Sequence, residues 1–323
     1  MVFRGMAPGQ CRGPRRRAAC TGALASQGGG GMKDEDLVVR KITIGITTRN
    51  RWQDLRQTLG FLASMNLSAV PTVIIDDGSD CDCGREIVGA LANCHFVRSD
   101  VSLGLVEQRN RIAELARTDY LVSLDDDSCI TDPQPLAEAV RYMDSHPDVA
   151  ALAFRVVHKM HPGACADDPS GEQSSDTPGF FGNGHLLRLK AFRQLGGYRP
   201  YFRFMAEERE LCLRLYGAGL RVVTFPAVQV NHWAAASGRS TERGCYFMAR
   251  NTVLTWLLNL PWLICVYRLL ATAVGLVWLG ATGKVPGTSG IRGYIAGLRE
   301  FSARRTQRAP ITMGAYRRWL KAR

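Results

Sequence analysis

The chain has 323 residues, of which 46% are hydrophobic and 22% charged, so it can bury a large core and is not a wholly disordered protein. Its formal net charge of +12 comes from its two ends, residues 1–32 and 282–323, and the body between them is close to neutral. A nucleic-acid-binding face on the body is therefore not expected, whereas the basic carboxyl end favours contact with an anionic membrane surface.

The ten cysteines are scattered without a CxxC pair, and no secretory apolar segment opens the chain. These features predict reduced thiols in a cytoplasmic protein that is peripherally membrane-associated. A zinc-like cluster of His158, His161 and Cys165 is a weak candidate, because Pro162 and Gly163 interrupt it.

Changes in composition divide the chain into three regions. Residues 1–36 are predicted to be a disordered basic tail, since Gly, Arg, Ala and Pro dominate up to Met32, which is a second candidate start. Residues 37–251 are predicted to form one α/β domain. Residues 252–323 are predicted to form a helical, membrane-associated region.

Strands and helices are predicted to alternate from residue 41 onward. The apolar run 42–46 is followed by the polar letters TTRNR and by leucines at helical spacing, and the unit repeats with strands over 71–77, 95–100 and 120–127. This alternation predicts a doubly wound, mostly parallel α/β sheet. Each strand ends in polar or charged residues, which predicts a ligand site where the carboxyl ends of the strands meet.

The second half of the domain is predicted to continue this pattern. After a strand over 149–158, the polar segment 159–178 is long enough to suggest a functional lid. A helix is predicted over 186–197. Another helix should end at the Gly-rich letters 217–219, and two short strands are predicted between there and His232.

The stretch 252–281 is almost wholly apolar, but Asn259, Pro261 and Arg268 interrupt it. The uninterrupted pieces are shorter than the roughly 20 residues of a membrane-spanning helix, so two interfacial helices are predicted. A helical cap packed on the domain, a dimer interface and a true spanning helix are the alternatives.

Three consecutive acids, Asp125, Asp126 and Asp127, follow an apolar strand. A cation or a solvated turn has to compensate their mutual repulsion. A hard divalent ion such as Mg²⁺ or Mn²⁺ is one explanation, and an acidic turn before a helix is the other. The triplet alone does not separate the two.

Seven motifs occur in order between about Lys41 and Asn251: ITIGITTRNR, VIIDDGSD, LGLVEQRN, YLVSLDDDS, GNGHLLRLKAFRQLGGYRPYF, EERELCLRLYGAGLRVV and QVNH. This succession resembles the family 2 glycosyltransferases of GT-A fold, of the rhamnosyltransferase-like kind. The resemblance implies a metal-dependent, inverting hexosyl transfer from a UDP- or dTDP-activated sugar to a hydroxyl acceptor. A lipid-linked or cell-envelope glycan is one class of acceptor it implies, and a homodimer is compatible with it.

The resemblance also implies which residues contact the donor: Thr48, Arg49, Asp76, Asp77, Arg109, Asn110, Asp125 and Asp126. It implies Asp127 as the direct metal ligand and His232 as a second metal or phosphate ligand. Arg49 stands where many members have Tyr, which puts the base preference in question, although a guanidinium can also stack on a base.

Glu208, the second acid of the pair formed with Glu207, is implied as the general base that takes the proton of the acceptor hydroxyl. Most members have Asp at this position, and the additional methylene could shift the acceptor. His185 is a candidate for an acceptor or phosphate contact, and the resemblance implies that Arg250, paired with Asn251, could close over phosphate.

Two other functions are weighed against this one. A sugar-nucleotide nucleotidyltransferase would need a Gly-rich phosphate loop after the first strand, and TTRNR contains no Gly. A catalytically inactive binding or scaffold relative would not need to keep the acids at 125–127 and 207–208. No nucleic-acid partner is expected.

Overall fold

The computed structural model describes residues 33–82, 84–89, 91–158, 173–233, 241–284 and 286–322, and the chain from Lys33 onward forms one compact unit. The predicted tail lies outside the described residues up to residue 32. Its last three residues belong to the first helix, α1 (Asp34–Lys41). Most of the predicted lid, together with His161 and Cys165, also lies outside the described residues.

Strands and helices alternate through the first half of the unit, as predicted. The strands are β1 (Ile42–Thr48), β2 (Thr72–Asp76), β3 (Cys94–Arg98), β4 (Tyr120–Asp125), β5 (Ser128–Ile130), β6 (Val149–His158), β7 (His185–Arg188) and β8 (Arg221–His232). The further helices are α2 (Trp52–Ser64), α3 (Gly84–Val88), α4 (Leu105–Leu115), α5 (Pro135–Ser145), α6 (Leu189–Gln194), α7 (Glu207–Gly217), α8 (Thr241–Asn259), α9 (Trp262–Ala281), α10 (Gly287–Arg304) and α11 (Met313–Lys321).

Within the described ranges, the strands form one eight-stranded sheet in the order β3-β2-β1-β4-β7-β6-β8-β5. The half that contains β3, β2, β1 and β4 is wholly parallel, and β6 also pairs in parallel with β8. Strands β7 and β5 pair antiparallel with their neighbours. The predicted mixed α/β fold with a mostly parallel sheet and a carboxyl-terminal helical region is therefore confirmed.

The helix predicted over 186–197 is wrong in its first residues, which form β7 instead. Leu186 belongs to the buried cluster that contains Ile44, on one face of the sheet, while Leu187 belongs to the cluster that contains Ile75, on the other face. Successive side chains of a strand point to opposite faces, so two adjacent buried leucines suit a strand covered on both sides. The helix itself begins only at Leu189.

The two short strands predicted before His232 are one strand, β8. Its register against β6 is interrupted, because Phe154 pairs with Phe225 whereas the next residue, Arg155, pairs with Gln229. Pro226 lies in the skipped segment, where the N–H that proline lacks is not needed for the ladder. Because of this irregularity, β8 continues as one strand past Pro226.

The apolar carboxyl-terminal stretch is divided at Pro261 rather than at Arg268. Helix α8 is buried from Ala249 to its end and runs without a break through the predicted domain boundary after residue 251. Arg268 lies inside α9, where its Nε donates a 2.8 Å hydrogen bond to the hydroxyl of Tyr316. The prediction of two interfacial helices is therefore wrong for α8, which is part of the core.

Helix α9 lies mostly outside the core. In the part of the chain that the structure describes, one helix, α9, is long and apolar enough to cross a membrane, and Cys265 is the one residue of this helix that is buried. Its exposed side includes Leu263, Tyr267, Leu270 and Val274, each more than 60% exposed.

Helix α10 covers α8 through two glycines one turn apart. A Cβ at Gly293 would clash with the backbone carbonyl of Tyr246, and a Cβ at Gly297 would lie 2.6 Å from the carbonyl oxygen of Arg250. These distances leave no room for a side chain, so the two helices approach through their backbones.

We predict that Gly293→Ala lowers the free energy of unfolding by about 1–3 kcal/mol, the usual cost of overpacking. The matched control is Gly275→Ala in α9, where a Cβ would meet nothing within 4 Å. Because Ala favours helix over Gly by up to about 1 kcal/mol, the control should be neutral or stabilising. Denaturant unfolding of both variants measures the difference, and equal midpoints would contradict the close packing of α8 and α10.

Candidate functional site

Three parallel strands end side by side at one edge of the sheet. The register places Thr48 beside Asp76 and Thr47 beside Asp125. Just beyond β4, the Thr48 hydroxyl donates a 2.8 Å hydrogen bond to Asp126 Oδ2. The predicted meeting of the polar strand ends is therefore present in the structure.

A group of metal-type ligands forms where β5 pairs with β8. The antiparallel register sets Ser128 opposite His232, and Asp127 precedes β5 with its Oδ1 3.1 Å from His232 Nε2. Ligand atoms of Asp125, Asp127 and His232 all lie within 4.8 Å of one another. Two carboxylates and an imidazole are a donor set that fits a divalent cation such as Mn²⁺.

Arg51, which the sequence analysis did not select, lies on the same carboxylates. Its Nη1 is 2.8 Å from Asp126 Oδ1, its Nη2 is 2.5 Å from Asp127 Oδ2, and its Nε is 3.2 Å from Asp54. Burial opposes the ionisation of Asp127, but hydrogen bonds from His232 and Arg51 outweigh it and hold the pKa of Asp127 below its ordinary value. At Asp126 burial dominates and raises the pKa to about 8 against the attraction of Arg51.

Arg109 connects this group to the acid pair of α7. Its Nη2 lies 3.0 Å from Asp125, and its Nη1 lies 3.0 Å from Glu207 and 3.3 Å from Glu208. The guanidinium is almost fully buried, and although burial disfavours its charge, the three acids raise its pKa above the ordinary value. Arg109 thus binds acids of the protein itself at the place where a diphosphate contact was predicted.

The two acids of the pair differ in environment. The Glu207 side chain is 2% exposed, and burial, followed by the neighbouring Glu208, raises its pKa to about 8. The Glu208 side chain is 18% exposed and so can be reached from solvent. A Cβ at Gly182 would press against Glu208 and Arg109, so the absence of a side chain there leaves them room.

The loop that leads into the acid pair has an unusual backbone. Three of its residues have left-handed φ values between 58° and 67°: Arg203, Met205 and Ala206. The side-chain nitrogen of Asn251 lies 2.7–2.8 Å from the carbonyl oxygens of Phe202, Phe204 and Met205. Strained residues persist only where their surroundings hold them, and Asn251 of α8 does so here.

Arg250, a predicted phosphate contact, is held by groups of the protein itself. Its guanidinium is buried, donates to the carbonyl of Tyr201 and forms a 3.1 Å ion pair with Glu300 of α10. These partners satisfy the charge of Arg250 between α8 and α10. The residue thus joins these helices to the loop before α7, and its contact with phosphate stays a prediction.

Two further predicted residues also have partners within the protein. The side-chain amide of Asn110 donates to the Tyr198 carbonyl and accepts from the Tyr198 N–H, so it holds that backbone, and its contact with a diphosphate stays a prediction. His185 is fully buried and stacked on Phe180, and burial lowers its pKa to about 3. Full burial leaves the His185 side chain no surface through which to contact an acceptor.

The predicted base-binding loop is partly open. Arg49 is exposed, and its guanidinium donates a 2.9 Å hydrogen bond to the Ser102 hydroxyl. Asp76 is fully buried and accepts from Ser79, which contradicts a direct contact with the base. Asp77 accepts the backbone N–H groups of residues 103 and 104 at the start of α4, so its carboxylate shapes the loop beside the strand ends.

Arg51 is the site residue that sequence reasoning left out. Arg51 is the second arginine of TTRNR, and the signal that could have found it is the Asp three residues later, at the spacing of a helical ion pair. Asn251 was selected only as a partner of Arg250 near phosphate. Its hold on the loop left no local signal, because the backbone carbonyls that it contacts are about 46 to 49 residues away.

Solved structures share the fold at low sequence identity. GalNAc-T7, solved with UDP, GalNAc and Mn²⁺, superposes with a TM-score of 0.56 over 68% of this chain at 16% identity, and the match spans about half, 48%, of that longer chain. The mannosyltransferase PcManGT from Pyrobaculum calidifontis, solved with GDP-Man and Mn²⁺, gives 0.54 at 18% identity over 84% of each chain. S. aureus TarS 1-349 gives 0.50 at 15% identity over 67% of this chain and 65% of that one.

The sequence comparisons cover the same region. An uncharacterized protein of Haemophilus influenzae (strain ATCC 51907 / DSM 11121 / KW20 / Rd) is 26% identical over 168 residues, which are 48% of this chain and 91% of that protein. The family model "Glycosyl transferase family 2" matches residues 43–209, just over half of the chain. The match begins in β1 and ends just beyond Glu208, so it includes both the acid triplet and the acid pair, and the chain belongs to glycosyl transferase family 2.

Proposed function

We propose that the protein is a metal-dependent, inverting glycosyltransferase that moves a hexose from a nucleotide-diphosphate donor to a hydroxyl acceptor. The observation that carries this proposal is the bridge formed by Arg109 between Asp125 of the metal-type group and Glu208 of the acid pair. One guanidinium therefore contacts both the candidate cation site and the candidate base. Family membership and neighbours solved with UDP or GDP-Man support a nucleotide sugar as the donor.

The donor is proposed to lie along the ends of β1, β2 and β4. Arg49 is exposed at the end of β1 and can stack on a base, while Thr48 lies behind it in contact with Asp126. A UDP or dTDP donor is our proposal, and a thermal-shift screen of UDP-, dTDP- and GDP-sugars with Mn²⁺ tests it.

The cation is proposed to be Mn²⁺ or Mg²⁺, held by Asp127 with His232 and Asp125. Asp127 is suited to this because its carboxylate is kept ionised by its neighbours even though it is buried. A bound divalent ion would offset the negative charge that develops on the leaving diphosphate.

Glu208 is proposed as the general base. It would accept the proton of the acceptor hydroxyl while that oxygen bonds to the anomeric carbon, from the face opposite the breaking bond to the diphosphate. Its partial exposure gives an acceptor access, whereas the buried Glu207 favours the protonated form. Arg109 holds Glu208 on the side of Asp125.

We also propose that the enzyme works at the cytoplasmic face of a membrane, where its acceptor could be lipid-linked. The exposed apolar face of α9 is accompanied by exposed basic residues of the carboxyl-terminal region: Lys284, Arg292, Arg299, Arg305 and Arg317. Apolar area beside basic charge suits an anionic lipid surface.

We predict that Asp127→Asn lowers Mn²⁺-dependent transfer by more than about 100-fold, because even outer-shell changes at metal sites cost 10–100-fold. Sugar transfer is measured with the donor found in the thermal-shift screen, with and without added Mn²⁺. Full activity of the wild-type protein after chelation would contradict the metal assignment.

We predict that Glu208→Gln lowers kcat by about 10²–10⁴-fold, the usual contribution of a general base, with little change in donor KM. Glu207→Gln is the matched comparison and should lose less, since Glu207 favours the protonated state that an amide imitates. A larger loss at Glu207→Gln would move the base to that residue.

We predict that replacing Leu263, Tyr267 and Leu270 together by Gln abolishes cosedimentation with phosphatidylcholine–phosphatidylglycerol vesicles. The melting temperature should not fall, because these side chains are 63–90% exposed. Undiminished vesicle binding would contradict the lipid surface. A wild-type dimer in solution that becomes monomeric in the variant would instead indicate that a second copy covers α9.

A further inference from the structure

We propose that Arg51 is an internal cation that holds the Asp127 carboxylate and gives it up to the divalent ion, so that the two compete for one site. This inference rests on the metal site of the proposed function. It adds a residue, and a property, that neither the sequence motifs nor the comparisons provide: the protein binds the metal only by displacing its own guanidinium.

The competition follows from the geometry of Asp127. One carboxylate oxygen, Oδ1, lies 3.1 Å from His232 Nε2, and the other, Oδ2, lies 2.5 Å from Arg51 Nη2. The Asp127 side chain is 1% exposed, so solvent has almost no access to it. A cation placed among Asp125, Asp127 and His232 would share this carboxylate with the guanidinium.

Charge makes simultaneous occupation unfavourable. A divalent ion and a guanidinium on one buried carboxylate repel each other, and this repulsion is little screened where water is excluded. Together the Asp126 and Asp127 carboxylates carry two negative charges at most, whereas Arg51 and a divalent ion together carry three positive charges. The pair cannot neutralise Arg51 and a divalent ion at once.

Displacement of Arg51 needs to break only one of its three contacts. Its Nε stays within 3.2 Å of Asp54, one turn along α2, and its Nη1 stays within 2.8 Å of Asp126. Only Nη2 leaves Asp127, and its N–H groups then become available to an anionic oxygen beside the metal. A diphosphate supplies such oxygens, and guanidinium–phosphate hydrogen bonds are charge-assisted.

The test compares Mn²⁺ binding to the nucleotide-free wild-type protein with Mn²⁺ binding to nucleotide-free Arg51→Met. Binding is measured from the loss of the free Mn²⁺ signal in electron paramagnetic resonance. Removal of the competitor should tighten Mn²⁺ binding by about tenfold or more. The control is Arg56→Met, which removes the same charge from an exposed position on α2, the helix that follows Arg51, and should leave Mn²⁺ affinity nearly unchanged.

A second measurement separates competition from structural damage. With saturating Mn²⁺, the nucleotide that binds the wild type more tightly, UDP or GDP, should bind Arg51→Met more weakly, because the freed Nη2 is missing. Tighter metal binding with weaker nucleotide binding is a pair of opposite shifts, whereas a damaged site would weaken both.

Arg51→Gln also removes the positive charge but keeps a polar side chain at this position, and it serves where Arg51→Met does not fold. It should shift Mn²⁺ affinity in the same direction as Arg51→Met. Mn²⁺ binding that is equal or weaker in both variants than in the wild type would overturn the proposal and leave the metal site intact. If neither the wild-type protein nor any variant binds Mn²⁺, both this proposal and the metal site of the proposed function are overturned.

Discussion

The buried ion cluster around Arg109 is the interaction on which the arrangement of the site depends. Its guanidinium has almost no access to water, and a buried charge of this kind is tolerated only when it is paired and hydrogen-bonded. The partners come from two parts of the fold, Asp125 at the end of β4 and the acids Glu207 and Glu208 at the start of α7. Those acids would otherwise repel one another. The contacts that compensate the buried charge of Arg109 therefore also fix the distance between Asp125 and the acid pair of α7.

The cluster in turn depends on helices that composition alone would place outside the catalytic domain. Helix α7 can begin where it does only because the preceding loop has left-handed backbone at Ala206, and Asn251 of α8 holds that loop. Helix α8 is covered by α10, which approaches it at Gly293, and Arg250 and Glu300 join the two by an ion pair. The carboxyl-terminal helices are thus part of the support of the acid pair, and a cut after residue 251 would remove it.

The sequence predicted the fold better than it predicted the contacts of individual side chains, for a physical reason. Buried parallel strands and their polar ends leave a local signal, so the meeting of Thr48 with Asp126 could be anticipated from strand order alone. The partner of a side chain leaves no local signal when it is a distant backbone group, as for Asn110 with Tyr198. A motif also does not reveal whether a polar group remains free: Asp76 and His185 stand in predicted positions, yet burial removes them from any ligand. The predicted start of the helix at residue 186 was wrong because the sequence does not show whether one face of a segment is buried or both. The adjacent leucines of β7 are buried on opposite faces of the sheet.

Two guanidinium groups divide between them the three consecutive acids at the end of β4, Asp125, Asp126 and Asp127. This division explains how three adjacent carboxylates can be accommodated. Arg109 takes Asp125, while Arg51 takes Asp126 and Asp127. Asp126 and Asp127 lie in the turn after β4, where Arg51 contacts both of them, while Arg109 contacts Asp125. The repulsion among the acids is therefore offset by two separate cations. The half held by Arg109 is joined to the acid pair, and its Asp125 side chain is 28% exposed. The half held by Arg51 is tied to the first loop and the start of α2, and His232 stands on its other side. A divalent ion that binds the Asp127 carboxylate would therefore meet the guanidinium of Arg51 rather than that of Arg109.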